Sequence, residues 1–338
     1  MVKPSDRDRD AKGDWRPDAL IKPPPIYAWP PRPRSVAKWF VGFPGYLWPL
    51  NALVLIISVF TWSVLTPDLV EMKTLALWWI GLLLLRNLFL TVAFFGGLHL
   101  YLYNYKQQGD KLEFSNRPFS KNNKRFLFND QVRDNIFRTL VFAVPIFTVY
   151  EVATYWLFAN GFLGFLPIAD NSAAFWVWFI VLLLLMPVIH STHFYFTHRL
   201  LHWKPLYKTV HNIHHRNVEV GPFSGLAMHP VELSIYFSTV CVQWIVALHP
   251  LNALYQLQFA VFNAAMSHTG YEKILLKNDV GIESNSYFHY LHHKYFECNY
   301  GGTIAPMDQL FGTFHDGSEA AQGRMRKRMR ERLGTESS

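Results

Sequence analysis

The chain has 338 residues, of which 51% are hydrophobic and only 17% charged; a soluble domain usually carries about 25% charged residues, so the deficit points to a bilayer. The net charge of +8 sits in loops and tails with no RNA- or DNA-binding motif beside it, which favours cationic loops facing anionic lipid and excludes nucleic acid as a partner. With only Cys241 and Cys298 a disulfide framework is excluded, and both thiols are expected to be reduced and buried in a cytosol-facing protein.

Residues 1–46 are polar and proline-rich and show no cleavable signal peptide; they are expected to form a disordered cytosolic arm, with PPPIYAWPPRP as an extended spacer. Leu47–Thr66 runs uncharged for twenty residues, the length needed to cross about 30 Å of hydrocarbon. Thr74–Tyr105, Thr139–Asn160 and Ser172–Thr192 are three further apolar runs, and the helix of the last is expected to continue into His198. Arg86 and Glu151 interrupt two of these runs and should face protein or a wet cavity, where pairing with each other is one arrangement. Leu233–Met266 has no Asp, Glu, Lys or Arg and is broken by His249–Pro250. Each half would reach only about 24 Å as helix, so two half-deep helices returning to the same side are expected. Lys and Arg crowd the arm, the loop 106–138 and the tail, which puts both termini and every clustered histidine in the cytosol.

The imidazoles are the chemical signal. HRLLH places His198 and His202 on one helix face, and HNIHH (His211, His214, His215) and HYLHH (His289, His292, His293) repeat a convergent helical spacing. Neutral imidazole ligates Zn, Cu, Fe or Ni. Eight ligands exceed what one ion needs, so two metals are expected. HRLLH lacks the glutamate of HExxH, which removes the zinc-protease reading. No GxGxxG follows a strand and no P-loop or GxSxG occurs, so nucleotide binding and esterase chemistry are unsupported.

THRLLH, VHNIHH and HYLHHKYFECNYG resemble the three histidine boxes of the membrane sterol desaturase and fatty acid hydroxylase superfamily. GPFSGLAMHPVE (221–232) and PMDQLFGTF (306–314) add to the likeness, which covers about residues 135–315 and is nearest the sterol C-5 desaturase (lathosterol oxidase-like) branch. The resemblance implies a helical enzyme of the endoplasmic-reticulum type (a bacterial host would place it in the inner membrane) with two iron ions, zinc being the substitute in purified material. It implies O2 and two electrons delivered by cytochrome b5 or a similar carrier with its NAD(P)H reductase, and a lipid substrate, sterol or acyl, drawn from the bilayer. Carried over box by box, the ligands are His198, His202, His211, His214, His215, His289, His292 and His293. His268 in SHTGYE joins them, because the family commonly places another ligand after this hairpin.

Other residues are assigned around that centre. His229 in MHPVE is a ligand or pocket residue. His193 stands where the family often has an acid, and with Glu232, Glu283 and Asp308 it is expected to orient the ligands. His249 is structural, and His99, His190 and His315 are non-ligands. The expected fold is all-α and integral to the membrane, with four spans, a re-entrant helical hairpin and a cytosolic helical cap. Its parts are the arm (1–46), a transmembrane hairpin and loop (47–134), the catalytic region (135–315) and a basic tail (316–338). The lipid pocket is expected between Phe175–Pro187 and Leu233–Met266. The function expected is sterol desaturation of the C-5 type. The enzymatic alternative is hydroxylation of a fatty acyl or sphingolipid chain or of a sterol methyl group, and the non-enzymatic one is a membrane protein holding structural zinc.

Overall fold

The computed structural model describes residues 9, 13–17, 19–164, 166–276 and 281–332. It is helical apart from one antiparallel pair, β1 (Lys273–Leu275) with β2 (Gly281–Glu283). Among the described residues three helices are long and apolar enough to cross a membrane: α3 (Leu77–Asn104), α4 (Gln131–Ala159) and α5 (Ala173–Leu201). Asp130 caps α4 by accepting the Arg133 N–H at 3.0 Å, and Ser172 caps α5 by accepting that of Phe175 at 3.1 Å. Two shorter helices precede them, α1 (Pro33–Val41) and α2 (Leu50–Leu65). The expected first span is thereby cut to 16 residues, about 24 Å, because Pro49 sits where an earlier turn would need its N–H.

Arg86 and Glu151 meet in the apolar layer, joining α3 to α4. Asn87 Nδ2 donates to the second Glu151 oxygen at 2.8 Å, and Arg86 Nη1 donates to Thr66 Oγ1 at 2.9 Å, so both charges are fully engaged.

The re-entrant pair is α7 (Pro230–Val246) and α8 (Pro250–Ser267). All of α8 except Asn263 and Ser267 is buried, which makes it the central post of the bundle. Three of its buried polar side chains find partners inside: Gln258 with Ser58 and Thr61, Gln256 with Thr239 and Gln243, and Asn252, through Nδ2, with the Phe179 carbonyl. His249 caps its start, accepting the Leu251 N–H at 3.1 Å. The turn Pro222–Leu226 lies against α8 so closely that a Cβ on Gly225 would come within 2.2 Å of the Ala264 carbonyl oxygen.

The arm departs from expectation. Its described part is anchored to the cap rather than disordered. Asp14 is buried and pairs with Lys294 at 2.5 Å and Arg117 at 3.1 Å, and Trp15 stacks on Phe114 at 6.2 Å. The Ile21 N–H donates to the Asp316 carbonyl at 3.1 Å, and the Tyr46 hydroxyl donates to the Leu184 carbonyl. A polar composition predicts disorder only while no partner is in view, and these partners come from far along the chain. The tail forms α10 (Glu319–Arg332), which buries Ala321 and Met325.

Candidate metal centre

The site lies where α5 ends. Its last turn presents His198, and His202 follows at the cap. After α6 (Lys204–Thr209) the chain forms a 3-10 turn, His211–Arg216, in place of the α-helix expected for HNIHH. α9 (Ser286–Tyr295) carries His289, His292 and His293, and His268 closes α8.

Nine imidazoles gather into two adjoining sets, and the boxes are divided between them. His198, His202, His211, His215 and His292 form one set, and His214, His268, His289 and His293 the other, with ligand atoms in each set within 4.8 Å of one another. Neighbours are split by this division: His214 and His215 lie in different sets, as do His292 and His293.

The ring nitrogens test whether a cation fits. His198 Nδ1 donates to the Tyr300 carbonyl and His292 Nδ1 to that of Cys298, both at 2.7 Å. His211 Nδ1 donates to Glu232 Oε1 at 2.6 Å, and His268 Nδ1 to the Ala264 carbonyl at 2.9 Å. These partners fix the proton on Nδ1 and leave Nε2 as a bare lone pair. Yet Nε2 atoms lie 3.1 Å apart in the pairs His198–His211, His202–His292 and His215–His292, and likewise in His214–His293 and His289–His293. In His198–His211, where both Nδ1 atoms are engaged, two lone pairs face each other and repel unless a cation sits between them. The nine residues fit metal ions, and their all-nitrogen donor set suits iron, zinc, copper or nickel.

Burial supports the ligating form. It holds the His202, His211, His214, His215, His289, His292 and His293 imidazoles well below their ordinary range, with neighbouring imidazoles adding to the effect. Burial likewise lowers His268 to about 3. Glu232, fully enclosed, is pushed well above the usual carboxyl value. A cavity of about 10 Å³, the room of one water, touches both sets through His198, His211 and His214 and is otherwise walled by Phe194, Met228, Glu232 and Tyr236.

Of the orienting residues, Glu232 touches a clustered histidine directly. Asp308 acts one step back, accepting from the Tyr300 and Gly301 N–H groups at 2.8 Å and from Thr313 Oγ1 at 2.6 Å, which holds the loop whose Tyr300 carbonyl receives His198. His193 is in neither set, and its Nε2 shares a hydrogen bond of 3.0 Å with Ser238 Oγ rather than with a clustered histidine. Glu283 is corrected: it is exposed on β2, 3.5 Å from Lys273. His229 lies outside the sets and caps α7, accepting the Val231 N–H at 3.2 Å. His99, His190, His249 and His315 also lie outside them.

Sequence reading missed Asn217, which ends the HNIHH turn. Its Oδ1 accepts from Gln131 and Asn135 of α4 at 2.9 Å each, and its Nδ2 donates to the His214 carbonyl at 3.2 Å, clipping the middle box to a membrane helix. A buried Asn just after a box, with amides on a neighbouring helix, was the available signal.

The fatty acid hydroxylase family model matches residues 183–313. A Delta(7)-sterol 5(6)-desaturase of Candida albicans is 28% identical over 234 residues, covering 68% of this chain and 57% of that protein. The enzyme of the same name from Candida glabrata is 32% identical over 123 residues, 36% of this chain and 32% of the relative. A methylsterol monooxygenase of Aspergillus fumigatus is 35% identical over 135 residues, 37% and 45% respectively. The chain thus spans less than two thirds of the length of each of these relatives. No solved structure matches. The segment that matches the fatty acid hydroxylase family model holds all nine gathered histidines, in keeping with the likeness of the boxes to sterol desaturases.

Proposed function

We propose that the chain is an O2-dependent membrane oxidase with two iron ions that removes hydrogen from an unactivated C–H bond of a lipid. The carrying observation is the gathering of nine imidazoles from distant segments into two adjoining sets at the end of a helix long and apolar enough to cross a membrane. The five-membered set would hold one ion and the four-membered set the other; bound there, iron supplies the redox chemistry that activates O2. The chain's own part is to fix the imidazoles, through Glu232 and the Tyr300, Cys298 and Ala264 carbonyls, and to keep bulk water out with Phe194, Met228 and Tyr236.

The favoured reaction is desaturation of a sterol ring, of the C-5 type, which the names of the Candida relatives support. Two hydrogens on adjacent carbons leave with O2, two electrons and two protons, giving a double bond and two waters. The second reading is hydroxylation, in which one C–H becomes C–OH with one water released; the methylsterol monooxygenase relative favours it. No nicotinamide motif is present, so the electrons are assigned to cytochrome b5 or a similar carrier with its reductase. The topology that fits is four crossings counting α2, with the termini and the metals on the cytosolic side of the endoplasmic reticulum or of a bacterial inner membrane. Mass spectrometry of sterols and acyl lipids after expressing the wild type and His214→Ala tests this. Gain of a ring double bond with the wild type alone supports the first reading, and a new hydroxyl supports the second. Identical lipid profiles would sink both.

A further inference from the structure

A cavity of about 420 Å³ lies away from where the apolar runs led us to expect the lipid pocket. From Leu233–Met266 it borrows only Asn263, one of the two residues of α8 that are not buried. The arm forms its roof. Pro23, Pro24 and Pro25 line it on one side, and Trp39, Tyr46 and Trp48 on another. That roof is held at both ends, by Ile21 on Asp316 and by Tyr46 on Leu184. On the opposite wall, Phe288 precedes the clustered His289, and Ile304 packs against the core that contains Met186 and Phe259. The cavity therefore lies next to the metal-bearing helix and is open to the arm.

Its polar groups describe an occupant. The side chains of Asn263, Asn285 and Thr303 make no hydrogen bond to any described residue. Three uncommitted amide and hydroxyl groups on one cavity wall call for a small neutral partner that both donates and accepts. Glu272, Glu283 and Lys22 line the same space, with Glu283 and Lys22 exposed. A phosphate, sulfate or carboxylate head would find no arginine among the lining residues to receive it. Trp39, Trp48 and the proline run supply the apolar remainder of the wall.

We propose that this cavity binds the hydroxyl end of an uncharged lipid alcohol, and that the arm, which lies outside the family-matched segment, is the wall that selects the lipid. That the bound lipid is also the one oxidised rests on the function proposed above. The selection is steric and polar together: the stiff proline roof limits width, and Asn263, Asn285 and Thr303 favour a hydroxyl over an anionic head.

The test uses the full chain in phosphatidylcholine nanodiscs, so that choline lipid is present in excess throughout. The probes are a diazirine-bearing sterol alcohol and its sulfate ester, with labelled peptides mapped by mass spectrometry. The alcohol should label residues 19–51 or 285–304, and the sulfate should give a tenth of that signal or less. Asn263→Trp, which fills the cavity, should cut labelling about tenfold at unchanged metal content, and Thr303→Trp should do the same should the first variant not give monodisperse protein. His214→Ala should still label, because the cavity is built without it. Equal labelling by the sulfate, labelling that survives both cavity-filling variants, or cross-links mapped elsewhere would overturn the proposal. Undiminished labelling without any lipid oxidation would instead overturn the proposed function alone.

Discussion

The Nδ1–H of His211 donates to Oε1 of Glu232 across 2.6 Å, with both side chains almost wholly enclosed. The second Glu232 oxygen has no partner among the described residues. The carboxyl thus sets the tautomer of one ligand in the five-membered set. Glu232→Gln should weaken metal retention about 10- to 100-fold while the fold persists. Chelator competition followed by metal analysis measures this, and retention equal to wild type would assign Glu232 to packing alone.

The division of the boxes yields a sharper expectation. His214→Ala touches only the four-membered set and His215→Ala only the five-membered one. Each should lower the metal content from about two ions per chain toward one, and the double variant should approach none. Elemental analysis of purified protein reads this directly. Loss of both ions in either single variant would mean that the two sets act as one site.

Arg86 and Glu151 are nearly inaccessible and answer each other between α3 and α4. Removing one partner leaves a charge in the apolar layer, so Arg86→Ala or Glu151→Ala should each cost about 3–5 kcal/mol. Arg86→Met combined with Glu151→Leu should cost much less than the two single costs together. Thermal unfolding in detergent micelles compares the three, and simple additivity would argue that the pair is not coupled.

Glu272 gives a pH dependence whose sign can be worked out. Burial, with Glu283 adding to it, raises its carboxyl from 4.5 to about 7. The folded chain keeps this proton up to about pH 7, while the unfolded chain releases it near 4.5. The group's contribution is therefore fully present below pH 4.5 and is lost as pH rises through 7. Glu272→Gln should remove a decline of roughly 1–3 kcal/mol between those limits. Melting temperatures of wild type and variant at pH 5 and pH 8 test it; parallel shifts would count against the burial argument.

Much of the centre was legible because helical spacing gathers side chains. His198 and His202 stand four apart at the end of one helix, and His289 and His293 repeat the spacing on another. What spacing could not express was the division of His214 from His215, which depends on how each ring turns and on which neighbours reach it. The acceptors for His198, His292 and His268 are main-chain carbonyls, which carry no residue identity to read. Arg86 and Glu151 were readable as residues that face protein or a wet cavity, because a charge facing lipid is costly, whereas their pairing was only one of the arrangements left open. The arm was misjudged because its anchors, Arg117, Lys294 and Asp316, lie far off in the chain and nothing local announces them. His193 and Glu283 were chosen by neighbourhood in the chain, and each side chain is partnered elsewhere.

The helix Ala173–Leu201 is 29 residues long, about 43 Å from end to end, against a hydrocarbon layer of about 30 Å. The same helix carries the apolar stretch and, in its last turn, His198, with Pro187 between the two. An interior proline leaves a carbonyl without its helical donor, so a thicker or thinner membrane would meet the metal ligands through the one point of this helix that is built to bend.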